Sequence, residues 1–274
     1  MGSTSSSSTG SRRRRTLVLT LVLGATLLAV SSCSADTELG RLGVPSPVSV
    51  EGDATLAFWQ DSWIAAWIVG GIVWGLMFFA MIAFRRRPGD GLPKQMKYNL
   101  PIEILYTVTP IMVVAVMFTF TARNTEDLTR LTNDTQHTVG VVGSKWVWTF
   151  NYVQENTYDI GTPDSPATLW LPVNEKVRFQ LTSPDVIHDF WVPAFLFKMD
   201  VIPGRLNQFE LTPNVTGTFV GKCAELCGTD HSRMLFNVKI VSVAEYQAHI
   251  ASLKARGQIG QLDTGRVVTT GVEQ

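Results

Sequence analysis

Hydrophobic positions follow two styles along the chain. Up to residue 120 they fall in three long runs, and beyond residue 136 in short segments bounded by Gly, Pro, Asn and Asp. The second and third runs, residues 58–84 and 102–120, carry no charge except Asp61 and Glu103, each near its start. At about 27 and about 19 residues, each is long enough to cross a bilayer as a helix. The first run, residues 17–30, follows four arginines at 12–15. At about 14 residues it is too short to span, and it reads as a secretory signal.

Later segments, at 137–142, 145–152, 167–171, 176–182, 188–192, 206–211, 217–222 and 235–241, have the length of strands. Several alternate apolar with polar, as in Val177, Phe179, Leu181 and in Phe236, Val238, Ile240, the period of a half-buried strand. This density of short strands predicts a β-sandwich or small barrel. In "SVAEYQAHIASLKARG", Ser242 and Glu245 form a capping-box pattern, and Tyr246, Ile250 and Leu253 share one helical face. The predicted organisation is therefore a signal at 1–32, a spacer at 33–57, membrane helices at 58–84 and 101–122 around a loop at 85–100, a linker at 123–135, the strand domain at 136–242, and a helix and tail at 243–274.

Charge orients this arrangement. Arg85, Arg86, Arg87, Lys94 and Lys97 gather between the two long runs. The positive-inside rule makes that loop cytoplasmic and places the strand domain outside the cell membrane, as the signal also predicts. Formal net charge is zero. No basic face stands out beyond the loop, which argues against a nucleic-acid partner. Small residues lead from the signal to Cys33, and Val30, Ser31, Ser32 and Cys33 resemble a bacterial lipobox. Cleavage before Cys33 and its lipidation are expected, with membrane lipid as a partner.

Two of the three cysteines lie in "CAELCGTDHSRM", residues 223–234. Outside the cytoplasm such a pair forms a disulfide in most proteins. That reading leaves His231 and Met234 to coincidence. Zinc sites favour two-residue gaps and shun methionine. Thiolate, imidazole and thioether together suit copper, which electron-transfer sites hold on β-sandwiches. A single copper would leave one cysteine over. His188, in "SPDVIHDFWVP", is the candidate second imidazole, and its neighbour Asp189 is a candidate for orienting it. His137 and His249 match no motif and read as structural.

From Trp59 to about Ser242, the two spans, "GSKWVWTFNY", "SPDVIHDFWVP" and "CAELCGTDHSRM" resemble subunit II of haem-copper cytochrome c oxidases. The last segment fits the family's C-x-E-x-C-x-x-x-H-x-x-M pattern at every defined position. The resemblance implies a membrane-anchored α+β chain of the aa3 type: a two-helix transmembrane hairpin followed by an external cupredoxin-like Greek-key sandwich or barrel. It implies a binuclear copper A centre, in which Cys223 and Cys227 bridge two copper ions. His188 and Met234 would complete one copper, and His231 with the carbonyl of Glu225 the other. The Glu225 side chain would reach a magnesium shared with the haem-bearing subunit I, and other oxidase subunits would be neighbours.

The same resemblance implies that electrons arrive from a soluble or membrane-bound cytochrome c and pass to subunit I, where oxygen is reduced with proton translocation. Trp146, Trp148, Phe150 and Tyr152 alternate at strand period, which by itself means core packing. The resemblance instead places Trp146 at the electron's point of entry. Glu155, Asp159, Asp164 and Asp185 are candidates for an acidic docking patch, or simply for solvation. Glu103, in the first turn of its helix, suits the helix dipole. The resemblance gives it the mouth of a proton path. No C-x-x-C-H is present, so no fused haem c is expected. A quinol-oxidase subunit II would lack the copper ligands, a membrane-anchored copper chaperone or thiol redox protein would need neither Met234 nor two spans, and nitrous oxide reductase carries a large catalytic domain besides.

Overall fold

A computed structural model describes residues 37–93 and 95–262. Cys33, the signal and the end of the tail lie outside the described residues. The described residues fall into two units, 37–46 and Pro47 onward. The described part of the first is a run of turns, in which the N–H of Arg41 donates to the carbonyl of Thr37 at 2.9 Å.

The second unit begins with two long helices, α1 (Val50–Ala83) and α2 (Leu100–Thr129). Both are apolar enough to cross a membrane, and neither buries its apolar stretch within the chain. Ser49 caps α1, accepting from the N–H of Gly52 at 3.0 Å. Helix α1 starts at Val50 rather than at 58, because Glu51 and Asp53, which interrupt the apolar pattern, bond to the strand domain. Asn99 caps α2, with Pro101 in its first turn and Pro110 inside it. Glu103 turns back on this cap, its Oε1 accepting from the N–H of Asn99 at 2.9 Å.

Ten strands follow: β1 (His137–Ser144), β2 (Val147–Tyr152), β3 (Thr157–Ile160), β4 (Thr168–Pro172), β5 (Val177–Thr182), β6 (His188–Val192), β7 (Phe197–Val201), β8 (Asn207–Leu211), β9 (Gly217–Cys223) and β10 (Leu235–Val241). They form two five-stranded sheets in the orders β3-β2-β1-β5-β8 and β4-β10-β9-β6-β7. The pairs β1 with β5 and β4 with β10 run parallel, so the chain crosses between sheets rather than meandering. Alternating residues of the two inner faces meet in an aromatic core. Phe179 stacks on Phe209 at 4.8 Å, Phe190 on Phe236 at 4.9 Å, and Trp148 meets Phe236 edge to face at 5.3 Å.

Helix α3 (Val243–Ala255) begins with the capping box of Ser242 and Glu245, and buries Tyr246, Ile250 and Leu253. It covers the end of the sandwich near β3 and β4. The opposite end carries the loops before β6 and between β9 and β10, where the cysteines lie.

Candidate metal centre

Three segments place the donor groups. His188 opens β6, where it pairs with Val201, and its side chain is fully buried. Cys223 ends β9, and its backbone N–H donates to the carbonyl of Met234 at 3.0 Å, which closes the loop between β9 and β10. Within the loop a 3-10 turn, His231–Arg233, lifts His231 towards Cys227, while Met234 returns fully buried beneath it.

Both cysteines are free and buried, their sulfurs 3.8 Å apart, against the roughly 2.05 Å of a disulfide. Cys223 Sγ lies 3.9 Å from His188 Nδ1 and 3.2 Å from the carbonyl oxygen of Glu225. Cys227 Sγ lies 3.5 Å from His231 Nδ1 and 3.7 Å from Met234 Sδ. His188, Cys223 and Cys227 form a cluster able to hold a metal ion, with donor atoms within 4.8 Å of one another. Burial, and then the neighbouring Cys223, push the thiol of Cys227 up to about 12. A metal must therefore displace a firmly held proton.

Asp185 orients the first imidazole, its Oδ1 lying 2.9 Å from His188 Nε2 and so leaving Nδ1 to face the sulfur. Burial acts against ionisation of Asp185. The N–H groups of Lys145 and Val186, with His188, outweigh it and hold the carboxyl below its usual range. Asp189, adjacent in sequence, does not fill this role. Its side chain leaves on the other face of β6 and pairs with Lys198 Nζ at 2.9 Å, while burial holds its carboxyl above the usual range.

Two indoles complete the site. Trp146 lies just before β2 rather than within it, half-buried, and donates its Nε1–H to the carbonyl of Cys227 at 3.2 Å. Gly228 sits beneath that ring with φ +120, where a Cβ would come within 3.2 Å of the indole. Trp148 is buried and donates its Nε1–H to the carbonyl of Met234 at 3.3 Å, with its ring edge-to-face against His188 at 6.2 Å. Gly143 leaves room for both, since a Cβ there would lie 3.2 Å from each ring. Sequence reasoning left Trp148 as packing. Strand period gave no signal that it also touches two donor residues.

The four acids named for docking do not share one environment. Glu155 is engaged inside the domain, its Oε1 3.2 Å from His137 Nδ1 and its side chain only 12% exposed, which removes it from a solvent-facing patch. Asp185 is engaged with His188. Burial holds the carboxyl of Asp159 above its usual range. Asp164 is exposed and paired with Arg233, one residue before Met234. The side chain of Glu225 is exposed.

Comparison with known proteins shows the family. The family described as cytochrome C oxidase subunit II, periplasmic domain, matches residues 137–241. A probable cytochrome c oxidase subunit 2 of Streptomyces avermitilis is 44% identical, over 94% of this chain and 92% of that protein. The cytochrome c oxidase subunit 2 of Mycobacterium tuberculosis strain H37Rv is 32% identical, over 87% of this chain and 82% of that one. The crystal structure of the periplasmic domain of subunit II of the Bradyrhizobium japonicum cytochrome oxidase is similar at 32% identity and TM-score 0.43, covering 46% of this chain and 99% of that domain. With relatives matched along nearly their whole length, the chain belongs to the cytochrome c oxidase subunit II family, and is a membrane subunit of a terminal oxidase with its sandwich domain outside the cytoplasm.

Proposed function

We propose that this subunit is the electron-entry point of its oxidase, taking electrons from a cytochrome c at a binuclear copper A centre for delivery to the haem-bearing subunit. The observation that carries this reading is the pairing of donors around each sulfur. Cys223 lies between His188 and the Glu225 carbonyl, and Cys227 between His231 and Met234. Each thiolate thus touches one donor from each of the two expected copper sets, the arrangement a bridging role requires. The soft donor set suits copper and not zinc. Held by these donors, two coppers would supply one-electron redox chemistry.

The chain's own residues shape that chemistry. Asp185 and Trp148 fix the imidazole and the carbonyl that border the donors, so little rearrangement accompanies a change of charge. Trp146 provides a half-exposed ring joined by one hydrogen bond to the main chain of Cys227, a short path from the surface to a sulfur ligand. The exposed Glu225 carboxylate is free to share a magnesium with the catalytic subunit. Glu103, bonded through Oε1 to the N–H of Asn99, would stand at the mouth of a proton path. Copper titration of the purified full-length chain tests the reading: two coppers per chain with a delocalised paramagnetic resonance signal are expected. One copper with a localised signal would overturn it.

A further inference from the structure

The hairpin and the sandwich are joined almost entirely by polar bonds. Among the described residues of α1 only Gly52 is buried, and of α2 none. Just before α1, Val48 enters the core, and its N–H donates to the carbonyl of Ala194 at 3.0 Å, in the turn that follows β6. Strand β6 carries His188 at its other end. The remaining attachments converge on β8 and the residues after it.

After α2, a single residue, Thr132, is held by all of its polar groups. Its N–H donates to both carboxylate oxygens of Glu210 at 3.1 Å, and its hydroxyl donates to Oε2 at 2.7 Å. Its carbonyl accepts from the guanidinium of Arg178. Arg178 in turn grips Glu210 through Nε at 2.9 Å and a terminal nitrogen at 2.7 Å, with the Glu210 side chain 5% exposed. At the start of α1, Glu51 accepts from the N–H of Thr212 at 2.8 Å and lies 3.2 Å from its hydroxyl. Asn214 donates to Asp53 at 2.8 Å. The end of one membrane helix and the start of the other are thus bonded to positions two residues apart in the chain.

A buried ion pair adds little net stability over an apolar pair of the same volume, but it imposes direction. We propose that Glu210 with Arg178, and Glu51, are positioning residues that mount the sandwich on the membrane hairpin and hold its metal-binding end at a fixed place above the membrane. The step they serve is the onward transfer of one electron from the reduced copper site to the oxidised acceptor of the partner subunit. In that respect the inference rests on the function proposed above. Because Val48 is the one fully buried apolar side chain at this junction among the described residues, loss of the polar bonds frees the domain to tilt without unfolding it.

The test uses the full-length chain assembled in its oxidase, with variants Glu51→Ala and Glu210→Gln. Hydrogen exchange is followed at the N–H groups of Thr132 and Thr212, together with the copper spectrum and the rate of onward transfer. Faster exchange at these amides alone, an unchanged spectrum and a slower onward step are expected. Reduction by the donor should keep its wild-type rate. If Glu210→Gln strands Arg178 and prevents folding, the paired variant Arg178→Met with Glu210→Leu removes both charges and still releases Thr132. Unchanged exchange, or raised exchange with a wild-type onward rate, would overturn the proposal. If wild-type protein shows no two-copper spectrum, the copper reading fails, while the exchange data still decide whether the mount exists.

Discussion

Two buried histidines, in different regions of the same sandwich, face carboxylates and do different things. His188 meets Asp185 through Nε2 and a cysteine sulfur through Nδ1. His137 has a carboxylate on each side, Glu155 at 3.2 Å on Nδ1 and Glu175 at 2.6 Å on Nε2. Tyr246 of α3 adds its hydroxyl, donated to Glu155 at 3.1 Å, and an edge-to-face contact with the His137 ring at 5.1 Å. One imidazole keeps a nitrogen turned towards soft donors, so it suits a metal. The other has both nitrogens engaged and can only bind a proton, so it ties α3 to the sheet. A carboxylate beside a buried histidine therefore does not mark a metal site. What the second nitrogen faces decides.

The largest expected effect breaks the first region outright. Cys227→Ser should abolish the two-copper signal, because one thiolate cannot bridge symmetrically, and copper analysis with paramagnetic resonance reads this directly. An unaltered mixed-valence spectrum would remove Cys227 from the ligands. Next, Asp185→Ala should lower copper affinity by about 10–100-fold without unfolding the domain, measured by competition with a chelator. Asp189→Ala should leave that affinity almost untouched, since its side chain pairs with Lys198.

Trp146→Phe keeps the ring packed on Gly228 but deletes the hydrogen bond to Cys227. Stopped-flow mixing with reduced cytochrome c should show slower reduction with the copper spectrum intact. Wild-type kinetics in a fully metallated variant would deny Trp146 its role.

The smallest effect belongs to the His137 cluster and depends on pH. Burial lowers the affinity of His137 for a proton, but its hydrogen bonds to the accepting carboxylates of Glu155 and Glu175 outweigh it and raise the pKa. A raised histidine pKa stabilises fully below the unfolded value of about 6.5 and is lost as pH rises through the folded value. Burial also opposes ionisation of Glu155, yet the bond to His137 holds its pKa down. Its contribution is present above the ordinary carboxylate range and fades as pH falls through the folded value. The melting temperature of wild type should therefore exceed that of His137→Gln most between those limits, and the gap should shrink as pH rises past the folded pKa of His137. A gap independent of pH would contradict the cluster's ionic character.

The two regions were unequally legible in the sequence because one is local and the other is not. Five side-chain donors fall in two short segments, four of them within twelve consecutive residues, so their spacing carries the chemistry. The ties of His137 reach 18 and 38 residues away, and the grip of Glu210 on Thr132 reaches 78, distances at which no pattern is visible. Strands β3 and β7 escaped for a related reason. Thr157–Ile160 is a four-residue edge strand, and Phe197–Val201 is an edge strand that exposes Lys198 and Asp200, so neither needs a strongly apolar face. Asn151 reads as an outward strand position, yet it is buried, its Oδ1 accepting from the N–H of Leu262 at 2.9 Å.

In the proposed function, electrons enter the oxidase through the donors around Cys223 and Cys227. Rapid mixing of the assembled oxidase with reduced cytochrome c, followed at copper and haem wavelengths, is the decisive measurement. Copper absorption should bleach first, and haem reduction should follow with the decay of that signal. Haem reduction that precedes the copper change, or proceeds at the same rate in Cys227→Ser, would contradict it.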